Sequence, residues 1–227
     1  MYDIAILCGG LATRLGRLTE DSPKSMVDIN GKPFIYHQLK LLEFNGFKNV
    51  VLCLGYLGSA IKHYVESLDL EMKISYVQED YQLGTGGAIK NALPYLSPTF
   101  ITLYGDSYLP TKFSNIISFY EGQDKPSLMT IYRNKNKVHQ NNVYIDRNKI
   151  TYTKENPNSL SQYIDYGIGI FKKTMFENFG IAKFDLSLMY SYLIKRNELC
   201  TFEIKEKFYE VGSIEGIEEL REYLKED

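Results

Sequence analysis

The chain is poor in the residues that build disulfide frameworks and histidine-rich metal sites. Its 227 residues include three cysteines and three histidines. Cys8 and Cys53 lie inside apolar, strand-like runs, and Cys200 is distant from both in sequence. We interpret them as buried, reduced thiols. Reduced thiols make cytoplasmic residence the expectation. The histidines lack the spacing of metal ligands.

Long apolar runs and an excess of one charge are also missing. No apolar run approaches the roughly 18–20 residues of a membrane span, and the first residues lack a basic and apolar leader. The net charge is −2, so we expect no broad basic face for nucleic acid. Hydrophobic residues make up 44% of the chain and charged residues 24%, which is typical of a globular protein. One domain over residues 1–227 is predicted, with neither nucleic acid nor a membrane as partner.

The first half alternates apolar runs with helical patterns. Strands are predicted at 2–8, 49–54, 73–78 and 99–104. Helices are predicted at about 33–45, 58–68 and 86–96. This alternation favours a parallel sheet with helices on both faces. Right-handed crossovers then bring the carboxyl ends of the strands to one edge of the sheet.

The second half has a different rhythm. Short β-prone runs at 127–133, 142–146, 149–154 and 164–172 predict antiparallel additions or a lid. A helix near 185–196 and a strand pair within 200–211 follow. The last predicted helix has Ser213 as its N-cap and one apolar face made of Ile214, Ile217, Leu220 and Leu224. The predicted fold class is therefore α/β: a Rossmann-like three-layer fold with a mostly parallel central sheet and a small antiparallel extension.

The most informative segment follows the first predicted strand. The run Ile4–Cys8 leads into Gly9 and Gly10, and two spaced cations, Arg14 and Lys24, come next. Glycines that allow close backbone approach, followed by cations, are typical of phosphate-binding loops. The spacing fits neither the P-loop motif nor the three-glycine dinucleotide fingerprint. The sequence therefore predicts a phosphate site of another type.

Two later segments carry polar groups suited to a nucleotide. Asp106 follows the predicted strand 99–104, at the sheet edge where open α/β folds bind ligands. A carboxylate there suits Mg²⁺, which binds one or two carboxylates together with phosphate oxygens. The glycine-rich stretch around Thr85 opens a predicted helix, and its amides and hydroxyl can contact a base edge, with Gln78 nearby.

These segments, in this order, resemble the sugar-1-phosphate nucleotidyltransferases, also called nucleoside diphosphate-sugar pyrophosphorylases. The similar segments are Leu7–Leu15, Pro23–Met26, Asn30–Pro33, Leu83–Ala88, Tyr104–Asp106, Lys154–Pro157, Asp165–Phe171 and Phe208–Ser213. The resemblance spans about residues 2–216. Three positions depart from the usual family pattern: Ala12 replaces a glycine, Asn156 replaces a lysine and Glu210 replaces an aspartate.

The resemblance implies a reaction and a catalytic set. A sugar 1-phosphate oxygen attacks the α-phosphorus of a nucleoside triphosphate, and pyrophosphate leaves. Both reactants are anionic, so catalysis consists mostly of positioning and charge neutralisation. Arg14 would bind the leaving phosphates as a bidentate fork, Lys24 would lie near the α-phosphate, and Asp106 with Glu210 would hold Mg²⁺.

The resemblance also implies binding residues. The nucleotide would contact Leu7, Gly9, Gly10, Gln78, Gly84, Thr85 and Gly87. The sugar phosphate would contact Glu155, Asp165, Tyr166 and Gly167. Within the family, the chain most resembles guanylyltransferases that use GTP and D-glycero-α-D-manno-heptose 1-phosphate to make a nucleotide sugar for surface polysaccharide.

Other functions stay open at this point. A mannose- or glucose-1-phosphate nucleotidyltransferase using GTP, dTTP or CTP is the alternative within the family. Alternatives of other classes are a non-catalytic nucleotide-sugar sensor and a dinucleotide-dependent oxidoreductase. Assembly into a homo-oligomer is also left open.

Overall fold

The apolar runs of the sequence form the strands of the protein. The structure is a computed structural model that describes residues 2–10, 22–134, 140–147, 149–153 and 160–225. Its strands are β1 (Asp3–Leu7), β2 (Asp28–Ile29), β3 (Lys32–Pro33), β4 (Asn49–Leu54), β5 (Lys73–Gln78), β6 (Thr99–Tyr104), β7 (Ser107–Tyr108), β8 (Ser127–Arg133), β9 (Val143–Asp146), β10 (Lys149–Tyr152), β11 (Tyr163–Lys172), β12 (Leu199–Ile204) and β13 (Tyr209–Glu210). Its helices are α1 (Phe34–Phe44), α2 (Gly58–Glu66), α3 (Gly84–Ala92), α4 (Phe113–Glu121), α5 (Lys173–Glu177), α6 (Leu186–Lys195) and α7 (Ile214–Tyr223), with short 3-10 turns at Lys24–Met26 and Leu93–Tyr95.

Within the described ranges, nine strands form one continuous sheet. Strands β6, β1, β4 and β5 are parallel neighbours in that order. Strand β11 then pairs antiparallel with β6 and β8, and β12 lies parallel to β8. The hairpin β9–β10 joins beside the first residue of β11. This topology confirms the predicted α/β, Rossmann-like class with a parallel centre and an antiparallel extension.

The register of the central strands positions the loops that follow them. Leu7 at the end of β1 lies between Cys53 of β4 and Tyr104 of β6. The chain therefore leaves β1 at Gly9 and leaves β6 at Asp106 on the same edge of the sheet. Gly105 continues this pairing by donating its N–H to the Leu7 carbonyl at 3.0 Å.

Buried side chains cover both faces of the sheet. One cluster includes Ile6, Leu39 and Ile61, so α1 and α2 pack on that face. The other includes Phe100 and Met189, which brings α6 onto the opposite face. Helices on both faces give the three layers that the alternating pattern predicts.

Three sequence predictions need correction. The two strands within 200–211 do not pair with each other: β12 extends the main sheet beside β8, whereas β13 pairs with β7. Ile214 is 56% exposed, because α7 buries Ile217 and Leu220 instead. Helices α4 and α5 are additions to the predicted set. Helix α4 carries Phe113, Ile116 and Tyr120 at helical spacing, a signal that the prediction missed, whereas α5 has only five residues.

Two further observations concern termini and helix lengths. The prediction of Ser213 as an N-cap is confirmed, since its hydroxyl oxygen accepts a hydrogen bond from the Gly216 N–H at 3.1 Å. In the part of the chain that the structure describes, no helix has both the length and the apolar character needed to cross a bilayer.

Candidate active site

A cavity of about 480 Å³ opens at the carboxyl edge of the parallel strands. Six chain segments line it: the loop after β1, the 3-10 turn at Lys24, the segment after β5, the start of α3, the end of β6 and the segment before α6. Of the predicted nucleotide and catalytic residues, it is lined by Leu7, Gly9, Gly10, Lys24, Gly84, Thr85 and Asp106. Residues scattered between positions 7 and 106 of the sequence are thus brought together at one sheet edge.

A cation and a carboxylate meet in this cavity. Lys24 Nζ lies 3.2 Å from Asp106 Oδ2, and their side chains are 19% and 36% exposed. The 3-10 turn that carries Lys24 is held in place by Ser25, whose hydroxyl donates to the Gly105 carbonyl at 2.9 Å. An ion pair this exposed contributes little to stability. Its value lies in placing two opposite charges where phosphates and a cation could bind.

The predicted second metal residue comes close to Asp106 through the backbone. Strand β13 pairs with β7, placing Glu210 opposite Ser107, and the Val211 N–H donates to the Asp106 carbonyl at 2.9 Å. Gly216 lets the start of α7 pack against Glu210, because a Cβ there would overlap the Glu210 carbonyl. No group of three or more potential ligands from His, Cys, Asp and Glu is found among the described residues. Asp106 lines the cavity, whereas Glu210 is not among its lining residues, although its backbone runs beside that of Asp106. A single cavity carboxylate still fits Mg²⁺, which takes few protein ligands when phosphates supply the others.

The glycine-rich start of α3 serves a purpose that the sequence did not reveal. The N–H groups of Gly86 and Gly87 both donate to the Phe184 carbonyl, at 2.9 and 3.0 Å. A Cβ on Gly86 would overlap the Phe184 ring. The predicted use of these amides for a base edge is therefore corrected for Gly86 and Gly87, since both are already engaged. Gly87 does not line the cavity, whereas Gly84 and Thr85 do.

Gln78 does not face the main cavity. Its side-chain amide donates to the carbonyls of Gly55 and Glu79 at 2.9 and 3.2 Å, and it lines an adjoining cavity of about 490 Å³. Two neighbours that sequence reasoning missed, Glu79 and Gln82, line both cavities. Gln82 directly precedes Leu83, the first residue of a segment that resembles the nucleotidyltransferase family. That position could have identified Gln82 as a candidate from the sequence.

Glu79 is a partly buried carboxylate at this end of the cavity. Burial raises its pKa, and the Leu83 N–H, which donates to Oε2 at 3.1 Å, partly opposes that shift. A carboxylate with one oxygen committed to the backbone has further lone pairs available for a ligand.

The predicted sugar residues on β11 separate by face. Asp165 accepts a hydrogen bond from the Gly167 N–H at 3.1 Å, and Gly167, with φ +103°, packs close to the Tyr104 ring. Tyr166 points to the other side of the sheet and is buried against Tyr132 and Phe208. The expectation that the Tyr166 side chain lines a sugar pocket with Asp165 is therefore corrected, because alternate residues of a strand face opposite ways.

Two predicted residues cannot be placed. Arg14 and Glu155 lie outside the described residues, so their roles stay predictions.

Two residues that the sequence analysis did not select, Lys183 and Asp185, line the cavity from the segment before α6. Nothing in their local sequence singles them out. They reach the cavity because Phe184, which lies between them in the sequence, packs against the start of α3.

Cys8 also lines the cavity but is not suited to nucleophilic chemistry. Its burial raises the pKa of the thiol to about 12, with Asp106 adding to the effect and a Ser25 hydrogen bond opposing it. The thiol therefore stays protonated and inert at neutral pH. The expectation of buried, reduced thiols is confirmed for Cys8 and Cys53; Cys200 is only partly buried.

Comparison with known proteins agrees with this geometry. Over 91% of the chain and 93% of the relative, 29% of residues are identical to D-glycero-α-D-manno-heptose 1-phosphate guanylyltransferase of Campylobacter jejuni. Glucose-1-phosphate cytidylyltransferase of Salmonella typhimurium is 30% identical over 55% of this chain and 58% of its own length. The crystal structure of HddC from Yersinia pseudotuberculosis complexed with GMP-PN superposes with a TM-score of 0.84 at 31% identity, covering 99% of this chain and 100% of that one. The family model described as nucleotidyl transferase matches residues 4–220, and the chain belongs to that family.

Proposed function

We propose that this protein is a sugar-1-phosphate nucleotidyltransferase. The observation that carries the proposal is the Lys24–Asp106 pair, 3.2 Å apart in a cavity edged by Gly9 and Gly10. Transfer of a nucleotidyl group between two anionic substrates requires a cation near the transferred phosphate and a carboxylate that can hold a metal ion. Glycines beside that pair allow backbone N–H groups to approach the phosphates.

Each residue then has a defined task. Lys24 Nζ offsets the negative charge that builds up as the sugar phosphate oxygen approaches the α-phosphorus. Asp106 and Glu210 would hold Mg²⁺, which supplies further charge neutralisation on the phosphates when bound. Arg14, assigned from the sequence, would bind the leaving pyrophosphate through its two parallel N–H donors.

GTP is the proposed nucleotide. Guanine presents an N1–H and an N2–H₂ group side by side, and a carboxylate such as that of Glu79 can accept from them. The Gln82 amide can donate to guanine O6. The relative named a guanylyltransferase and the HddC complex with GMP-PN support this choice, whereas the Salmonella relative is named a cytidylyltransferase.

The proposed acceptor is D-glycero-α-D-manno-heptose 1-phosphate, with mannose or glucose 1-phosphate as the alternative. Support comes from the Campylobacter relative, which matches over nearly the full length of both chains. The product would be a nucleotide sugar for polysaccharide synthesis.

The test is a matrix of four nucleoside triphosphates against several sugar 1-phosphates, with pyrophosphate release as the readout. We expect the highest kcat/KM for GTP with heptose 1-phosphate. If the protein binds a nucleotide but releases pyrophosphate with none of the substrate pairs, the proposal is contradicted and a non-catalytic sensor is favoured. Turnover that requires a nicotinamide cofactor, followed by its absorbance, would favour an oxidoreductase.

Glu79→Gln tests the base preference separately. We expect the GTP/CTP ratio of kcat/KM to fall about tenfold or more, because a partly buried acceptor for two guanine donors is weakened. Asp80→Asn is the matched control, since Asp80 is exposed and lines only the adjoining cavity. An unchanged ratio in Glu79→Gln would assign the base preference to other residues.

A further inference from the structure

A single polar side chain lies on the buried face of α1. Gln38 is 2% exposed, whereas the other buried residues of that helix are apolar: Phe34, Ile35, Leu39 and Leu42. A buried amide costs free energy unless its polar atoms form hydrogen bonds. An apolar residue would pack on this face without that cost, so Gln38 is expected to be there for the bonds that it makes.

The hydrogen bonds of Gln38 lie on both sides of Asp106. Its Nε2 donates to the Tyr104 carbonyl at 2.8 Å and to the Ser107 carbonyl at 3.0 Å. An amide nitrogen carries two N–H donors, so this one atom joins the two ends of the turn that bears the carboxylate. Gln38 Oε1 is buried and has no hydrogen-bond partner within the described ranges. The donors are therefore the part of this side chain that the fold uses.

Each of the four successive carbonyls from Tyr104 to Ser107 accepts a hydrogen bond from outside the turn. The two outer carbonyls accept from Gln38, and the two inner ones accept from Ser25 Oγ and the Val211 N–H, both at 2.9 Å. These donors come from α1, the 3-10 turn and the residue after β13, which are separate parts of the sequence. Hydrogen bonds of this kind are worth about 1 kcal/mol each, and together they hold the turn in one conformation. Gln38 supplies two of the four.

The Asp106 carboxylate is positioned by this backbone. Ser107 Oγ donates to Asp106 Oδ1 at 3.3 Å, and Lys24 Nζ lies 3.2 Å from Oδ2. Ser107 is 4% exposed and its carbonyl is bound by Gln38, so the hydroxyl that contacts the carboxylate is fixed as well. The Asp106 side chain itself is 36% exposed, so packing alone restricts it little. Loss of Gln38 is therefore expected to displace the carboxylate relative to Lys24 without removing either group.

We propose that Gln38 is a positioning residue, whose amide fixes the Asp106 carboxylate relative to the Lys24 amine. This inference rests on the proposed function, and it gives a role in the reaction to a residue of α1 that is not among those lining the cavity. A misplacement of about 1 Å caused by a distant mutation can cost about 100-fold in rate. The loss should appear in kcat more than in nucleotide affinity, because these hydrogen bonds do not involve the segments that carry Gly9 and Thr85.

Gln38→Met tests the role of the donors. Methionine is apolar, unbranched and of similar length, so it can fill the same space without donating a hydrogen bond. We expect amide hydrogen exchange at 105–107, followed by mass spectrometry, to become about tenfold faster or more. We also expect kcat to fall about tenfold or more, while KM for the nucleotide stays within about threefold. If Gln38→Met does not fold, Gln38→Asn, which keeps the amide but shortens its reach, takes its place in both measurements.

Ser97→Ala is the matched control. Ser97 Oγ accepts from the Asp3 N–H at 3.0 Å and donates to the Thr99 carbonyl at 2.7 Å, at the ends of β1 and β6 that lie opposite the cavity. This variant therefore also loses two hydrogen bonds between a side chain and the backbone. We expect its exchange at 105–107 and its kcat to stay within about twofold of the wild type, even where thermal unfolding shows an equal loss of stability.

The two readouts separate a positioning role from a structural one. Wild-type exchange at 105–107 in Gln38→Met would overturn the proposal, and so would faster exchange with an unchanged kcat. An equal fall of kcat in Ser97→Ala would also overturn it, because general destabilisation would then explain the loss. If exchange is faster in Gln38→Met while the wild type releases no pyrophosphate with any substrate pair, the anchoring of the Asp106 turn stands and the proposed transferase function fails.

Discussion

At the scale of single residues, the charged groups of the cavity depend on backbone anchors. The Gln38 side-chain amide donates to the carbonyls of Tyr104 and Ser107, which lie on either side of Asp106, at 2.8 and 3.0 Å. Gln38 is itself 2% exposed. Buried hydrogen bonds of this kind fix the turn, so the position of the carboxylate does not rely on its own contacts.

Asp106→Ala should therefore abolish turnover while leaving the fold intact. We expect kcat to fall at least about 100-fold at saturating Mg²⁺, because a lost metal-binding carboxylate removes several kcal/mol of transition-state stabilisation. Steady-state pyrophosphate release measures kcat, and far-ultraviolet circular dichroism checks the fold. Retention of more than about a tenth of wild-type kcat would rule out this role.

Removing the Arg14 side chain should lower activity more than replacing its bidentate guanidinium group with the single amine of lysine. We expect both Arg14→Lys and Arg14→Ala to lower kcat/KM for the nucleotide, with the alanine variant far lower. Lysine keeps the charge but not the bidentate geometry. Initial rates over a range of nucleotide concentrations give the values. Wild-type kcat/KM in both variants would make Arg14 an ordinary surface cation.

Glu210 can be tested by its effect on the Mg²⁺ requirement. Glu210→Gln keeps the size of the side chain and removes its charge, so we expect a higher Mg²⁺ midpoint for activity. Glu210→Asp restores the residue usual in the family and should lie between the wild type and the glutamine variant. A Mg²⁺ titration of the three proteins decides the matter. An unchanged midpoint and kcat in Glu210→Gln would leave Asp106 to share the ion with phosphates and water.

At the scale of elements, α3 and α6 depend on each other. Thr85 of α3 caps α6 by accepting a hydrogen bond from the Leu186 N–H. In return, the Phe184 carbonyl, in the segment before α6, accepts from the N–H groups of Gly86 and Gly87 in α3. The sequence predicted the glycine-rich start of α3 but not its partner. Phe184 lies about a hundred residues away, and no local pattern states which side chain will fill the space that a glycine leaves.

Gly86→Ala tests this dependence. The added methyl would overlap the Phe184 ring, so we expect a loss of about 1–3 kcal/mol in unfolding free energy together with weaker nucleotide binding. Urea denaturation and nucleotide titration provide the two measurements. Gly180→Ala is the matched control, because a methyl group at position 180 would meet nothing within 4 Å.

A compensating change makes the test specific. In the double variant Gly86→Ala with Phe184→Leu, the smaller side chain should recover part of the lost stability. If Gly86→Ala proves as harmless as Gly180→Ala, the packing of Phe184 is not what requires a glycine at position 86.

At the scale of the whole molecule, buried acids govern the response to alkali. Burial raises the pKa of Cys8 to about 12, whereas an exposed thiol has a pKa of about 8.5. Above about pH 8.5 the unfolded chain therefore binds fewer protons than the folded chain, and the unfolding free energy falls as pH rises. The fall attributable to Cys8 should continue toward pH 12.

Urea denaturation between pH 8.5 and 10.5 measures this slope. One thiol contributes a loss of about 1.4 kcal/mol per pH unit. Cys8→Ala should make the slope shallower by about that amount, whatever its effect on the absolute stability. Equal slopes for the two proteins would mean that Cys8 is not shielded from solvent in the fold.

The sequence predicted the parallel half of the fold more fully than the antiparallel half. The bounds of β4, β5 and β6 are the predicted ones, because β4 and β6 are mostly apolar and β5 is a short β-prone run, each between helical segments. The pairing of β12 with β8 could not be predicted, since strand partners are chosen by contacts between distant residues. The same reason limits prediction of the site. Lys24 and Asp106 lie in segments that resemble the family, whereas Asp185 and Glu79 are identified only by the cavity that they share.

The reciprocal capping of α3 and α6 has a consequence for the order in which binding competence arises during synthesis. A nascent chain that has emerged through Asp106 already contains β1, β4, β5 and β6 and the Lys24–Asp106 pair. It lacks the Phe184 carbonyl that accepts from the first amides of α3, and Thr85 has no helix to cap. The ribosome must release roughly eighty further residues before that side of the cavity exists. Nucleotide capture by ribosome-bound chains of increasing length would therefore report the arrival of α6 rather than the completion of the parallel sheet.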